Sequence, residues 1–194
     1  MNSDVLRFRE FLNVVGRGEK RAKALSFEDA REAMRMILDG RSDAEQRGAF
    51  LLACRIRGED PIEMAGFVAA LQERCSPLNV SADELKNAVT VGHPYDGRED
   101  TFIIGAGAVL LAAAAGATVI LHGGGRVPIK RAPGVADVLE ALGWPSHLNP
   151  QTAPDFLREH HFVHLDTRAF MPAWTERLGI REKIGLRLPF SSAE

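Results

Sequence analysis

Apolar residues recur at helical spacing through the first part of the chain. One such run ends at Gly16 and predicts a helix over residues 4–16. Each of the three helical patterns that follow has a start signal. These signals are Ser26 before Glu28 and Asp29, Ser42 with Glu45, and Asp60 before Pro61. Because the connections between the patterns are short, residues 1–80 are expected to form a helical bundle domain of antiparallel neighbours.

The period of the pattern changes after residue 88. Short apolar and β-branched runs predict strands at 88–91, 118–121 and 162–165. Helical patterns alternate with these strands, at 105–115, at 134–142, from 149 onward and at 172–178. This alternation predicts an α/β domain over residues 88–194, with a partial parallel sheet and helices on both faces. The fold class is therefore α/β, with a helical bundle ahead of the sheet.

Composition narrows the function classes only slightly. The chain has 194 residues, and its net charge of -2 gives no general attraction for nucleic acid. One basic run is interpreted as a solvated linker in preference to a nucleic-acid surface. This run comprises Arg17, Lys20, Arg21 and Lys23. Residues 103–121 are uncharged, but they are rich in Ala and Gly and interrupted by Gly116, so they predict a helix and a strand of a cytoplasmic protein in place of a membrane span.

Two glycine-bearing loops follow neighbouring strands of the predicted sheet. The first spans residues 92–97 and the second residues 122–126. Ligands of α/β proteins bind beyond the carboxyl ends of strands, and glycine lets backbone N–H groups approach phosphate oxygens. The second loop also carries Arg126, whose guanidinium suits a phosphate. The candidate phosphate- and substrate-binding residues are Gly92, Asp96, Gly97, His122, Gly123, Gly124, Arg126 and Lys130.

The first loop is the weaker of the two as a phosphate site. Pro94 has no N–H to donate, and Tyr95 obstructs the close approach of a ligand. A sharp turn at a helix end explains a glycine-rich segment equally well, so both interpretations stay open. The six histidines show no spacing typical of a metal site, so no metal ligand is predicted, and no catalytic residue is assigned.

Several segments resemble the anthranilate phosphoribosyltransferases, a group of glycosyltransferases related to thymidine phosphorylase. These segments are residues 30–34, 37–40, 49–53, 58–59 and 63–67 in the helical part, and 112–116, 122–123 and 136–143 in the α/β part. The resemblance covers about residues 5–190. It implies a transferase of tryptophan biosynthesis that moves ribose 5-phosphate from phosphoribosyl pyrophosphate, with Mg²⁺, to an aromatic amine. It also implies a homodimer formed through the helical domain.

The chain departs from that family at the phosphate ligands. Residues 92–97 replace the family's Gly-Thr-Gly-Gly-Asp-Gly loop, and Ile103-Ile104-Gly105-Ala106 replaces its Asn-x-Ser-Thr helix start. Residues 121–126 replace its Lys-His-Gly-Asn-Arg loop, without the lysine and the asparagine. The family's Asp-Glu metal pair has no counterpart in this sequence, so the chain is expected to be a C-terminally truncated member of a divergent branch.

Three hypotheses follow from the resemblance and the departures. The first is a transferase with a degenerate diphosphate site, weak or inactive as this chain, because each lost charge-assisted contact is worth about 1.5–3 kcal/mol. The second is a non-catalytic paralogue that acts as a dimer and binds nucleic acid or another anion, since the divergent branch includes such proteins. The third is a structural module whose half-domain needs a complementing chain to cover its apolar surface.

Overall fold

The computed structural model describes residues 2–18, 20–93, 97–98 and 100–193. Its elements are, in chain order, α1 (Ser3–Val15), α2 (Phe27–Leu38), α3 (Ala44–Arg57), α4 (Pro61–Gln72), α5 (Ala82–Leu85), β1 (Ala88–Gly92), α6 (Ile104–Ala114), β2 (Thr118–Gly123), α7 (Val135–Ala141), α8 (Ala153–His160), β3 (Phe162–Asp166), α9 (Thr167–Phe170), α10 (Pro172–Thr175), α11 (Gly179–Ile184) and α12 (Phe190–Ala193). They form two compact units. The helical unit comprises the chain up to residue 74 and from residue 176, and the α/β unit comprises residues 75–175.

Three phenylalanines form the centre of the helical unit. Phe8, Phe50 and Phe67 are fully buried and meet edge to face, with ring centroids 5.4 Å apart for the first two and 6.2 Å apart for the last two. Helices α2 and α4 approach each other closely at Gly66, where a Cβ atom would lie 2.5 Å from the backbone oxygen of Phe27. A larger residue at position 66 would therefore force these helices apart.

Local capping signals place two helix starts correctly. Ser26 Oγ accepts a hydrogen bond from the N–H of Asp29 at 3.2 Å. Asp60 Oδ1 accepts from the N–H groups of Ile62 and Glu63, at 2.9 and 3.2 Å. Both residues satisfy N–H groups that have no partner inside the helix, which is why they mark its first residue.

The start of α3 lies one residue beyond the predicted cap. Asp43 is the N-cap and forms a capping box with Gln46, whose side chain accepts from the N–H of Asp43 at 3.4 Å. The predicted box of Ser42 with Glu45 is therefore wrong by one residue. Ser and Asp both favour the N-cap, and Glu and Gln both favour the position three residues later, so the sequence alone allows either register.

Asn149 begins a turn, and not the helix that was predicted from residue 149 onward. Its Oδ1 accepts from the N–H groups of Gln151 and Thr152, both at 2.9 Å. Asparagine favours such turns because its side chain imitates a backbone carbonyl. Helix α8 starts only at Ala153, and it ends in the left-handed residue His161, with φ of 55°.

The segment predicted as one helix over 172–178 forms a helix only as far as Thr175, and a turn follows it. Helix α10 ends at Thr175, and Gly179 begins α11 instead of ending a helix. Residues after 176 pack with the helical unit, where Arg177 Nη2 donates to the backbone oxygen of Leu38 at 3.1 Å. The sequence-based division places this segment in the α/β domain at 88–194, and that division stays a prediction.

The α/β unit contains a parallel sheet with strand order β1-β2-β3. Alternate residues of the central strand β2 point to opposite faces. Val119 and Leu121 belong to a core cluster with residues of α6 and α7. Ile120 belongs to a second cluster, with residues of α8 and α9. Helices therefore cover both faces of the sheet, which confirms the predicted fold class.

Strand β1 is an edge of the sheet within the described residues, since it pairs there with β2 alone. The neighbouring helix α6 also exposes large apolar side chains. Ile104 and Leu111 are 76% and 73% exposed, and Phe102, just before the helix, is 88% exposed. Exposed apolar surface of this kind is typical of an interaction site. Although α6 is apolar, none of the helices in the described part of the chain is long and apolar enough to cross a bilayer.

Candidate functional site

The two predicted loops begin side by side, at the carboxyl ends of β1 and β2. The register of the sheet pairs Gly92 with His122, and the N–H of His93 donates to the backbone oxygen of His122 at 2.9 Å. The His122 ring lies over Gly92, where a Cβ atom would be 3.0 Å from the imidazole Cε1. The structure thus brings Gly92 and His122 together, and it requires a small residue at position 92.

Glycine allows the two loops to touch through their backbones. A Cβ atom on Gly123 would lie 2.8 Å from the backbone oxygen of His93. Gly97 is buried with φ of 91°, and a Cβ atom there would lie 2.1 Å from the backbone oxygen of Ala132. The end of the first loop therefore packs against the segment between the second loop and α7. The predicted ligand Asp96 lies outside the described residues.

Arg126 is occupied by a carboxylate of the following helix. Its Nε donates to Asp137 Oδ1 at 3.2 Å, while Oδ2 of the same carboxylate accepts from the N–H of Gly134 at 2.7 Å. Gly134 in turn lies against Gly124, because a Cβ atom on Gly134 would be 3.2 Å from the Gly124 oxygen. These contacts hold the second loop against the start of α7. Lys130 is exposed, and its side chain makes no hydrogen bond or ion pair within the described residues.

The two histidines at the strand ends favour the neutral form. Burial lowers the pKa of His122, and burial is also the main cause that lowers the pKa of His93. A neutral imidazole offers one donor and one acceptor, and it adds no positive charge. Near neutral pH these rings therefore offer hydrogen bonds and no positive charge at this edge of the sheet.

Sequence reasoning missed a charged pair at the end of β3. Asp166 is the last residue of that strand and lies beside Gly123 in the register. Its carboxylate accepts from Arg168 Nε at 2.9 and 3.0 Å and from the N–H of Arg168 at 2.8 Å. Burial opposes the ionisation of Asp166, but the Arg168 hydrogen bonds outweigh it and hold the pKa below its ordinary value. An acidic residue directly after a strand, with an arginine two positions on, was the available signal.

A small polar pocket lies between the loops after β2 and β3. His147 bridges two carboxylates there, with Nε2 2.5 Å from Glu140 Oε1 and Nδ1 3.3 Å from Asp166 Oδ2. The pocket has a volume of about 220 Å³, and its lining mixes both charges. The lining residues are Gly125, Arg126, Ala136, Asp137, Glu140, His147 and Arg168. This composition suits a small polar ligand better than an apolar one.

A buried histidine contacts two backbone oxygens at this edge of the sheet. His164 is 0% exposed, with Nε2 3.1 Å from the Gly123 oxygen and Nδ1 3.3 Å from the Ser146 oxygen. Burial is the main cause that lowers its pKa. The neutral ring donates one hydrogen bond, so it can satisfy only one of the two carbonyl oxygens at a time.

The described residues do not offer a ready site for the Mg²⁺ that the family resemblance implies. They contain no group of three or more His, Cys, Asp or Glu side chains that could hold a metal ion. The carboxylates nearest the loops, Asp137 and Asp166, accept hydrogen bonds from Arg126 and Arg168. Mg²⁺ in proteins is commonly held by one or two carboxylates together with substrate phosphates, so the ligand would have to bring most of its coordination.

Comparison with family models identifies both parts of the chain. A model described as the helical bundle domain of a glycosyl transferase family matches residues 9–75, and one described as the a/b domain of that family matches residues 96–191. The anthranilate phosphoribosyltransferase of Brevibacillus brevis is 36% identical over 162 residues, which are 84% of this chain and 46% of that protein. The chain belongs to the anthranilate phosphoribosyltransferase family of glycosyl transferases.

Relatives and solved structures agree on the fold. The anthranilate phosphoribosyltransferase of Petrotoga mobilis is 30% identical over 95% of this chain and 51% of that protein. The crystal structure of the Thermus thermophilus enzyme superposes with a TM-score of 0.81 and 28% identity, over 96% of this chain and 53% of that one. The yeast enzyme, solved in complex with PRPP and Mg, gives a TM-score of 0.75 at 20% identity, which shows the fold alone. The chain spans about half the length of most family members it matches.

Proposed function

We propose that the chain is an anthranilate phosphoribosyltransferase-like protein with a degenerate diphosphate site. In this proposal the loops after β1 and β2 bind a phosphate-bearing ligand of the phosphoribosyl pyrophosphate class weakly, and phosphoribosyl transfer by this chain is weak or absent. Its support is the family membership combined with the altered loops. The candidate ligands are the described members of the predicted set, with Gly92, Gly97, His122, Gly123 and Gly124 nearest the strand ends.

The start of α6 is the single observation that carries the proposal. Ile103 is the N-cap and makes no side-chain hydrogen bond to the helix, and the exposed Ile104 follows it. The N–H of Ala106 donates to the backbone oxygen of Ile103 at 3.2 Å, so only the N–H groups ahead of it in this first turn remain available to an anion. No hydroxyl or amide side chain in residues 103–106 adds to them, so this end of the helix binds a diphosphate with fewer hydrogen bonds than the family's Asn-x-Ser-Thr start.

The pairing of Arg126 with Asp137 also lowers the phosphate affinity of the second loop. A phosphate reaches the Arg126 guanidinium only by displacing Asp137 or by sharing the arginine with it. The negative charge of Asp137 also repels a diphosphate unless Mg²⁺ accompanies it. In this proposal Mg²⁺ enters with the ligand, held mainly by its phosphate oxygens.

Calorimetry with phosphoribosyl pyrophosphate and Mg²⁺ tests the proposal. We expect a dissociation constant on the order of 1 mM, a thousandfold weaker than a micromolar site, because three or four charge-assisted contacts are missing. Arg126→Gln should weaken this binding further, whereas Arg55→Gln on α3 in the helical unit should not. Absence of heat at millimolar ligand would contradict binding, and efficient turnover of anthranilate would contradict a degenerate site.

A specific observation also favours the second candidate, a nucleic-acid-binding paralogue. The connection between α1 and α2 exposes four cations, and none of them forms an ion pair within the described residues. These cations are Arg17, Lys20, Arg21 and Lys23. Unpaired cations on an exposed loop suit the phosphates of a nucleic acid.

Binding to duplex DNA over a range of salt concentrations distinguishes the second candidate. Each phosphate neutralised lowers the logarithm of the affinity by about 0.9 per decade of salt. The double variant Lys20→Gln with Arg21→Gln should then reduce the slope by about two. Arg55→Gln with Lys183→Gln removes the same charge from exposed positions on α3 and α11 and provides the control. Binding that is absent at low salt would rule this candidate out.

We infer a homodimer through the helical unit as the assembly in both cases. Ile56 on α3 and Ile62 on α4 are 78% and 62% exposed, so both apolar side chains are available for contact with a second copy of the chain. Sedimentation velocity tests the inference. Ile56→Glu should shift a dimer toward monomer, whereas the exposed Arg55→Glu should not, and a monomeric wild-type chain would contradict it.

A further inference from the structure

The junction between α2 and α3 gathers positive charge within the helical unit. Arg177 reaches this junction from the C-terminal segment and donates from Nη2 to the backbone oxygen of Leu38, the last residue of α2, at 3.1 Å. Gly40 lies directly against the guanidinium, since a Cβ atom there would be 3.2 Å from Arg177 Nη2. The Nε of Arg177 is buried and has no hydrogen-bond partner.

Arg47, in the first turns of α3, is the second cation of this junction. Its side chain makes no hydrogen bond or ion pair with a described residue, and its Nε is buried. Burial lowers the pKa of Arg47, and the nearby charge of Arg177 lowers it further. The two guanidinium groups therefore repel each other across the junction. Neither of them forms a close ion pair with a carboxylate.

The carboxylates around the junction leave both arginines incompletely paired. Asp43 and Glu45 act on Arg47 only at a distance, raising its pKa without forming an ion pair within the described residues. Glu176 approaches Arg177 only to 3.9 Å. Two further carboxylates are already engaged: Asp39 with Arg74, and Asp4 with Arg41.

Ser42 adds a third unsatisfied donor to the same connection. It is 5% exposed, and its hydroxyl has no hydrogen-bond partner. Buried polar groups in native proteins nearly always have a partner in the protein or in a bound molecule. Three such groups in one short region, two of them positively charged, therefore need a common explanation, and a bound anion provides one.

We propose that Arg47 and Arg177, with Ser42, form a binding site for a small phosphate-bearing anion at the α2–α3 junction of the helical unit. A tetrahedral phosphate offers more acceptor oxygens than a carboxylate, so it can accept from two guanidinium groups and a hydroxyl at once. The site belongs to the helical unit, whereas the loops after β1 and β2 belong to the α/β unit, and it does not depend on the function proposed for them.

Calorimetric titration of the full chain with inorganic phosphate tests the proposal. We expect saturable binding that Arg47→Gln weakens about tenfold or more, because it removes charge-assisted hydrogen bonds. Arg177→Lys keeps the charge but loses the planar fork, and it should weaken binding by a smaller factor. Arg47→Gln decides the question if changes at Arg177 prevent folding, since the Arg47 side chain makes no hydrogen bond or ion pair within the described residues.

Two matched controls separate this site from general attraction and from the α/β loops. Arg55→Gln removes the same charge from an exposed position on α3, and Arg126→Gln removes it from the second loop; neither should change the affinity. Ribose 5-phosphate, titrated in parallel, shows whether a phosphate ester binds as free phosphate does. The proposal is overturned if neither probe binds, if Arg55→Gln weakens binding as much as Arg47→Gln, or if only Arg126→Gln has an effect.

Discussion

The contacts inside the helical unit differ in kind from the contacts inside the α/β unit. Side chains link the helices: Arg35 binds Glu73 at 2.5 Å, and Arg7 binds Glu32 at 2.6 Å. At the site of the α/β unit, backbone meets backbone, and Gly97 makes contacts that a methyl group would prevent. Contacts between side chains tolerate gradual substitution, whereas a close approach of two backbones admits only glycine. Substitution of the glycines at this site should therefore disturb the α/β unit more than substitution of the side chains around them.

The largest effect is expected at the buried pair of the helical unit. Glu63 is 1% exposed, accepts from Arg57, and also accepts from the N–H of Leu25 at 3.0 Å. Glu63→Ala leaves Arg57 and this N–H without a partner, so the free energy of unfolding should fall by about 3–5 kcal/mol. Urea unfolding followed by circular dichroism measures this, with the exposed Glu28→Ala as the control. A loss below about 1 kcal/mol would show that a surface-like environment surrounds the pair.

Glycines inside helices should respond with opposite signs in the two units. Gly66→Ala places a methyl group against α2 and should lower the free energy of unfolding by about 1–3 kcal/mol. Gly107 on α6 has open space around its Cβ position, so Gly107→Ala should raise the same quantity by about 0.5–1 kcal/mol. The same denaturant titration compares both variants. If both variants changed the free energy of unfolding in the same direction, the packing around the two glycines would not explain the effects.

Lowering the pH should weaken the α/β unit before the helical unit. All histidines lie between residues 93 and 164, and burial lowers the pKa of His93, His122 and His164. The unfolded chain binds these protons near pH 6.5, whereas the folded unit binds them only at lower pH. The stabilisation from the neutral histidines is therefore complete above pH 6.5 and is lost as the pH falls below that value.

Hydrogen exchange at pH 7.5 and pH 5.5, corrected for intrinsic rates, tests this difference. Protection should fall in peptides from β2 and β3 and persist in peptides from α2 and α4. Glu73 of the helical unit keeps its charge in this range, because hydrogen bonds from Arg35 and then Arg31 outweigh desolvation and lower its pKa to about 2. Equal loss of protection in both units would contradict the prediction.

The smallest effect is expected on the exposed side of α6. Leu111→Gln should change the free energy of unfolding by less than about 0.5 kcal/mol, because the side chain is already in water. Val109→Thr, on the buried side of the same helix, should lower it by about 1–3 kcal/mol, since it buries a hydroxyl. A large effect of Leu111→Gln would show that another chain covers this surface in solution.

The sequence predicted elements and loop positions because their signals are local. Asp60 before Pro61 and the period of β2 depend only on neighbouring residues, and both predictions are confirmed. The pairing of Asp166 with Arg168 beside Gly123 depends on the register of two strands. Without that register, the sequence could name the glycines of the site but not the charges opposite them.

The ion pair of Arg126 with Asp137 in the second loop costs little free energy to break. The arginine is 58% exposed, and an ion pair of this kind is worth about 1 kcal/mol or less. Displacing Asp137 therefore costs a ligand at most about a fivefold loss of affinity, and the guanidinium is already oriented before the ligand arrives. Under the proposed function, Asp137 holds the guanidinium of Arg126 in position until a phosphate displaces it.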